Sequence, residues 1–173
     1  MQYRMARGLP VLFAIGDFLC YIITNSKQGG LSMTARLEFL GNYVEIRNFD
    51  YCAEVEQWGN PYNCSFDIRV VSDGFSGGAD GCEYDYKEWK KFLSQRESLY
   101  CFESREAILS EICYGSTVKF TMDSSGHIEV SGLVYGNTMA QSLKFCFGAD
   151  QTVLEPYIIE LKAFSFLNEG NTL

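Results

Sequence analysis

The sequence has little proline, a single histidine and fewer basic than acidic residues, and each shortage excludes a class of protein. With 3 prolines in 173 residues and 47% hydrophobic residues, the chain is not disordered, and its length suits one domain. His127 alone cannot supply a two-histidine metal site or an acid–base pair of histidines. The 22 acidic and 14 basic residues give a formal net charge of −8, which disfavours nucleic acid and anionic membranes as partners.

Seven cysteines are present, but no two have the C-x-x-C spacing of zinc knuckles or thioredoxin-like sites. The sequence also has no P-loop, Rossmann glycine fingerprint or EF-hand loop, so we expect no cofactor and no metal. Cys113 and Cys146 stand in apolar runs, which predicts that both are small buried hydrophobes. We therefore expect reduced thiols and a cytoplasmic location, although six cysteines after residue 32 could also pair in a secreted protein.

Residues 1–32 differ in composition from the rest of the chain. Residues 9–23 are almost continuously apolar and follow Arg4 and Arg7, as in a secretory signal, but Asp17 interrupts them and no cleavage pattern follows. They are also short for a transmembrane helix, which needs about 20 apolar residues. The Gln-Gly-Gly at 28–30 can be encoded by a bacterial ribosome-binding sequence just upstream of the Met33 codon. We interpret residues 1–32 as an upstream extension from a mis-assigned start, with a signal-like segment as the alternative.

Without that segment, 11 basic and 21 acidic residues remain, a net charge of −10. We predict a single α+β domain at residues 33–167 and a short tail at 168–173. Alternating apolar residues predict strands at 36–40, 43–47, 65–70, 75–84, 107–114, 118–122, 127–130 and 142–147. Asp85 and Glu88 are typical of a helix start, and the apolar stripe that follows includes Arg96 and ends at Leu99; a second helix is expected from Thr152. This order predicts an antiparallel, meander-like β-sheet with two helices packed on one face.

Two features resemble catalytic elements. Gly74-Phe75-Ser76-Gly77-Gly78 matches the G-x-S-x-G pattern of hydrolases, which requires a strand before it, a helix after it and a histidine base later in the chain. Because this segment lies between two predicted strands, we interpret it as a glycine-rich hairpin. His127 follows a turn sequence and is interpreted as a turn or solvent-facing strand residue. We therefore predict no catalytic residue.

The acidic residues are solvated surface by default, but some could form a patch that docks on a basic partner. Trp58 and Tyr62, in a polar loop, could be aromatic anchors of such an interface, or could simply cover one end of the sheet. The candidate partner-binding residues are Trp58, Tyr62, Asp67, Asp73, Phe75, Asp80 and Glu83.

Several short blocks carry a family resemblance: DIRV at 67–70, GFSG at 74–77, the helix ending near Leu99, GHIEVSG at 126–132, SLKF at 142–145 and DQT at 150–152. Through these blocks, residues 37–164 resemble a small bacterial family of immunity proteins to WapI-type wall-associated toxins. Residues 1–32 have no counterpart in that family.

The resemblance implies a cytoplasmic, non-catalytic antitoxin that binds and occludes a nuclease-like toxin domain, and it carries over no catalytic residue. A basic, RNA-cutting domain would suit the acidic composition of the chain. The alternatives are a small-ligand-binding protein or hydrolase that uses a sheet-lined pocket, and an interaction module with no toxin partner. The sequence leaves the oligomeric state open.

Overall fold

Period-two alternation of apolar residues produces eight strands in the part of the chain that the structure describes. The structure, a computed structural model, describes residues 33–169, with side chains to residue 165, so the predicted extension 1–32 and residues 170–173 lie outside it. Sheet A contains, in spatial order, β1 (Thr34–Phe39), β2 (Asn42–Tyr51), β3 (Cys64–Ser72) and β4 (Phe75–Tyr84). Sheet B contains β5 (Glu106–Ser110), β6 (Thr117–Met122), β7 (His127–Tyr135) and β8 (Ser142–Asp150). The helices are α1 (Ala53–Gln57), α2 (Tyr86–Tyr100) and α3 (Leu154–Glu169).

The predicted α+β class and antiparallel pairing are confirmed, but the strands form two four-stranded meanders instead of one sheet. The 15-residue helix α2 separates β4 from β5, so no hairpin joins these two strands. The two long helices contact each other, and both pack on sheet A, since Trp89 of α2 and Phe164 of α3 each contact the ring of Phe49 in β2. Helix α2 also contacts β5 of sheet B.

The predicted start of α2 is confirmed. The Asp85 carboxylate accepts a hydrogen bond from the backbone N–H of Lys87 at 2.9 Å, which satisfies one of the unpaired amides at the helix start. Glu88 does not reach back as a capping box would require. It lies 3.0 Å from the ammonium group of Lys91, one turn further along the helix.

Other boundaries need correction. The last helical segment is capped by Asp150, whose carboxylate accepts the Thr152 N–H at 2.9 Å, and not by Thr152. A 3₁₀ turn at Gln151–Val153 comes next, and α3 begins after it, at Leu154. Helix α3 ends at Glu169, two residues inside the predicted tail. The strand predicted at 107–114 ends at Ser110, because the chain turns between Glu111 and Ser116. The Glu111 N–H donates to the Ser116 carbonyl at 2.8 Å, and the Glu111 carboxylate accepts the Ser116 N–H at 3.3 Å. The short helix α1 was not predicted.

The core lies between the inner faces of the two sheets and the apolar faces of α2 and α3. Trp89 of α2 has its ring centroid 4.8 Å from Phe49 and 5.2 Å from Phe66, so the helix is anchored on aromatic residues of sheet A. Arg96, in the same helical stripe, is 0% exposed. Its guanidinium lies 3.8 Å from the centroid of the Phe120 ring. The predicted stripe is therefore buried, including its one charged residue.

The cysteines in residues 33–169 are all free. Cys64 and Cys82 are buried, whereas Cys113 and Cys146 are exposed, contrary to our prediction. Cys146 alternates with the inward-facing Phe145 and therefore points outward from β8, and Cys113 follows the early end of β5. Of the helices in the described ranges, none has the length and apolar character that a membrane span requires.

Candidate functional site

Four of the seven predicted partner-binding residues form two groups at opposite ends of β3. Trp58 is 79% exposed and Tyr62 is 47% exposed, and both lie in the connection that enters β3 at Cys64. Asp73 and Phe75 lie where β3 turns into β4. A nine-residue strand is about 26 Å long at roughly 3.3 Å per residue, so the structure does not bring the two groups together.

Asp67 and Asp80 lie between the two groups, on the outward face of sheet A, and both are paired with arginines. The guanidinium of Arg69 donates to the Asp80 carboxylate, and this bond lowers the pKa of Asp80. Arg47 Nε lies 3.6 Å from Asp67 Oδ2, and Asp67 Oδ1 accepts the Gly81 N–H at 2.8 Å. These two carboxylates therefore hold sheet A together and are not an unpaired acidic patch.

Three depressions follow the edge strand β4. The outer depression, about 390 Å³, lies on the outward face of sheet A and is lined by Ser76–Gly78 together with Tyr43, Arg69 and Asp80. The inner depression, about 340 Å³, lies between the same three residues and the β7–β8 hairpin, including Val134 and Leu143. The acidic depression, about 290 Å³, is further along β4 and is lined by Asp80, Glu83, Glu111, Cys113, Tyr114 and Asn137. Glu83, a predicted residue, thus joins Asp80 at one site.

Close packing requires Gly78 of β4 and leaves little room for a side chain at Gly77. A Cβ atom on Gly78 would lie 2.4 Å from the carbonyl oxygen of Ile68 and 2.7 Å from Cδ of Arg69. The Arg69 side chain crosses β4 at this point, and its Nη1 donates to the Ala79 carbonyl at 3.0 Å. A Cβ on Gly77 would lie 3.1 Å from Leu143 of β8. The G-x-S-x-G segment is therefore a hairpin, as predicted, whose glycines leave its edge without bulky side chains.

Ser76 has no histidine near it. Gly77 lies against Leu143 at one end of β8, while His127 pairs with Asp150 at the other end. These positions are seven residues apart on one strand, which corresponds to about 23 Å. His127 is exposed at the first position of β7, as predicted. The nucleophile–base contact that a serine hydrolase needs is therefore not formed by these two residues.

In the acidic depression a cysteine thiol donates a hydrogen bond to a carboxylate, an arrangement that does not activate the thiol as a nucleophile. Cys113 Sγ donates to Glu83 Oε2 at 2.8 Å. The carboxylate stabilises the protonated thiol and raises the pKa of Cys113 to about 11, so this cysteine is not a thiolate at neutral pH. Within residues 33–169, no three histidine, cysteine, aspartate or glutamate side chains are grouped to hold a metal ion.

Two hairpin turns place apolar residues in solvent at the Phe75 end of sheet A. Leu40 in the β1–β2 turn is 86% exposed, and Phe75 at the β3–β4 turn is 70% exposed. The two turns are joined by a hydrogen bond from the Asp73 N–H to Asn42 Oδ1 at 2.8 Å. We call Leu40, Asp73 and Phe75 the hairpin-tip surface. Sequence analysis missed Leu40, although a leucine immediately before a turn glycine was a usable signal.

No protein-family model and no curated protein matches this sequence. A solved chain from the crystal structures of Trypanosoma bruciei MRP1/MRP2 is similar, with a TM-score of 0.47 and 9% sequence identity over 95% of this chain and 98% of that one. A similarity of this degree supports no argument about function.

Proposed function

We propose that this chain is a non-catalytic immunity protein that binds and occludes a cognate bacterial toxin domain, a basic nuclease, in the cytoplasm. The sequence blocks that resemble WapI-type immunity proteins support this proposal, and two of them, at 67–70 and 74–77, lie at the site along β3 and β4. The single observation that carries it furthest is the hairpin-tip surface, where two large apolar side chains stand in solvent beside an acidic one.

Leu40 is held in a conformation that its side chain disfavours. Its φ is +51° and that of Gly41 is +80°, as in the two-residue turns that prefer asparagine, aspartate or glycine. A leucine there costs about 1 kcal/mol because its Cβ crowds the following carbonyl. Since Leu40 is 86% exposed, the fold gains little packing in return. A strained, exposed apolar residue is best accounted for by contact with a partner.

The charge of the surface favours a basic partner. Residues 33–173 carry a net charge of −10, and the exposed Asp73 carboxylate has no basic partner among the residues that the structure describes. An acidic chain approaches a basic nuclease faster and excludes acidic competitors, because like charges repel at an interface. The apolar side chains of Leu40 and Phe75 beside the Asp73 carboxylate are complementary to a partner surface with an apolar pocket next to a lysine or arginine.

The test is co-expression of the full chain with the C-terminal domain of the surface toxin encoded beside its gene, followed by calorimetric titration of the two purified proteins. We expect wild type to restore growth. Leu40→Asn should stabilise the free chain by about 1 kcal/mol, because asparagine suits the turn. Phe75→Ser should weaken binding about 10- to 100-fold, since burying a phenylalanine contributes about 1.5–3 kcal/mol.

Trp58→Ser is the matched control, because Trp58 is 79% exposed and belongs to the other group of predicted residues, which this proposal places outside the toxin contact. We expect it to change affinity less than twofold, whereas Leu40→Asn should weaken binding despite its greater stability. The proposal is refuted by a wild-type chain that neither protects against this toxin domain nor binds it. Turnover of a small substrate by that chain would instead support the alternative, a pocket-based hydrolase or ligand-binding protein.

A further inference from the structure

The edge of β4 that faces away from β3 has open backbone groups over Ser76–Gly78. The β3–β4 turn has two residues, Asp73 and Gly74, with φ values of +50° and +80°. Such a turn closes with a hydrogen-bonded pair, here Ser72 and Phe75, and pairs then alternate along the hairpin. The N–H and C=O groups of Ser76 and Gly78 therefore point away from β3, where no described residue bonds them.

The same edge is closed immediately beyond this segment. The Asp80 N–H donates to Asn137 Oδ1 at 2.9 Å, and the Glu83 carbonyl accepts the Ile112 N–H at 3.0 Å. Other sheet edges are closed in the same way by helix side chains. Arg36 of β1 donates its N–H to Glu160 at 2.8 Å, and Ile108 of β5 donates its N–H to Gln95 at 3.1 Å. Proteins commonly cover edges because open ones pair with other chains.

Empty space flanks the open segment on both faces of sheet A. The outer depression and the inner depression both include Ser76, Gly77 and Gly78 in their walls, with volumes of about 390 and 340 Å³. A strand added beside β4 would send its side chains alternately to these two faces. Main-chain hydrogen bonds with side-chain pockets on alternate faces are the basis of recognition by strand addition.

We infer that Ser76–Gly78 of β4 is a docking edge for an extended segment of the toxin domain, which adds a fifth strand to sheet A. This inference rests on the proposed function, since it names the part of the chain that receives the partner. The segment pairs its main chain with Ser76 and Gly78 and fills the outer and inner depressions with alternate side chains.

The acidic depression defines the chemistry of this segment. It continues from the open edge, and its walls include the carboxylates of Glu83 and Glu111, which have no basic partner among the described residues, beside the Asp80 carboxylate that Arg69 pairs. No lysine or arginine of the described residues lines it. The exposed ring of Tyr114, 42% accessible, lies at the same depression and can stack on a guanidinium. The occupant therefore carries a lysine or arginine beyond the residues that pair with the edge.

A second copy of this chain does not fit the edge as well as such a segment. Self-pairing would bring Ser76-Gly77-Gly78 of the second copy against the same residues. Those residues carry one hydroxymethyl group and no other side-chain carbon, so both depressions would stay unfilled. A strand with side chains of its own is the better occupant.

The direct test is hydrogen exchange by NMR on the full chain, alone and saturated with the neighbouring toxin domain. We expect the Ser76 and Gly78 amides to exchange quickly in the free chain and at least tenfold more slowly in the complex. The Gly77 amide, which pairs with β3, is the internal control and should be protected in both states. A complex that leaves both Ser76 and Gly78 unprotected overturns this inference and leaves the proposed function standing.

Ser76→Pro and Ser76→Ala form a matched pair of variants. Proline removes the outward N–H without removing a bond to β3, and proline is tolerated on edge strands, whereas alanine keeps the N–H. We expect Ser76→Pro to weaken toxin binding at least tenfold and Ser76→Ala less than twofold. Equal affinities for the two variants would contradict strand addition. A wild-type chain that does not bind the toxin domain would refute the proposed function itself and this inference with it.

Discussion

Replacing Arg96 with methionine should stabilise the folded protein at neutral pH, although it removes the only charged residue in the buried stripe of α2. Arg96 is 0% exposed, and no described acceptor meets hydrogen-bond geometry with its three guanidinium nitrogens, so the nearby Tyr157 offsets only part of the effect of burial on the Arg96 pKa. The guanidinium group makes cation–π contacts with two rings, since its carbon lies 3.8 Å from the centroid of Phe120 and 4.2 Å from the centroid of Tyr157. Methionine has a similar length and flexibility, and leaves no charge to solvate.

The magnitude follows from two opposing contributions. Burial lowers the pKa of Arg96 from 12.5 to about 10, and this difference corresponds to about 3 kcal/mol of penalty on the charged form at pH 7. The buried cation–π contacts with Phe120 and Tyr157 stabilise the charged form by about 2 kcal/mol. Methionine removes both contributions, so we expect a net gain of about 1 kcal/mol, or a melting temperature about 2–4 °C higher. Arg96→Ala should instead lose about 2–5 kcal/mol, because it leaves a cavity beneath Phe120 and Tyr157.

Urea unfolding at pH 7, followed by circular dichroism, measures both variants against wild type. The pair separates charge from volume, since both substitutions remove the guanidinium and only alanine removes the packing. If Arg96→Met were destabilised by more than about 1 kcal/mol, the aromatic contacts of the guanidinium would outweigh its desolvation penalty, contrary to this prediction. Equal losses in the two variants would lead to the same conclusion.

Two further predictions concern β4 and its neighbours. Gly78→Ala should lower the free energy of unfolding, measured in urea, by about 1–3 kcal/mol, because its Cβ would meet a β3 carbonyl at 2.4 Å. Gly148→Ala is the control and should change stability by less than about 0.5 kcal/mol, because no described atom lies within 4 Å of its Cβ. Equal effects of the two substitutions would contradict close packing at Gly78. Glu83→Gln should speed alkylation of Cys113 about tenfold at pH 8, measured by peptide mass spectrometry, because losing the carboxylate lowers a thiol pKa now at about 11. An unchanged rate would mean that Glu83 does not control the thiol.

Local sequence patterns predicted most elements of the fold. Strands β3, β6 and β8 alternate inward and outward residues along their length, and a period of two is visible in any short window. The start of α2 at Asp85 is likewise local, since the cap and its amide are two residues apart. The extra helix α1 was missed because its five residues contain no buried position and therefore no amphipathic pattern.

The candidate site was predicted only in part, because its members are distant in the chain. Phe75, Asp80 and Glu83 were named from local composition, and they lie along one strand. The pairing of Asp80 with Arg69 depends on the register of β3 against β4. Asn137, which closes the edge at Asp80, is 57 residues away and belongs to the other sheet's hairpin. No local pattern encodes such contacts.

By itself, then, the amino-acid order determined the inward-facing residues of most strands, the start of the long helix after Asp85, and the excess of negative charge. Tertiary structure alone decided that the strands divide into two sheets, that Arg96 is enclosed by aromatic rings, and that the edge at Ser76–Gly78 stays open while its continuation is closed. The physical reason is the separation along the chain between the residues that interact. Backbone periodicity and capping act over a few residues, whereas sheet division, burial of a charge and closure of an edge depend on segments that meet only when the whole chain packs.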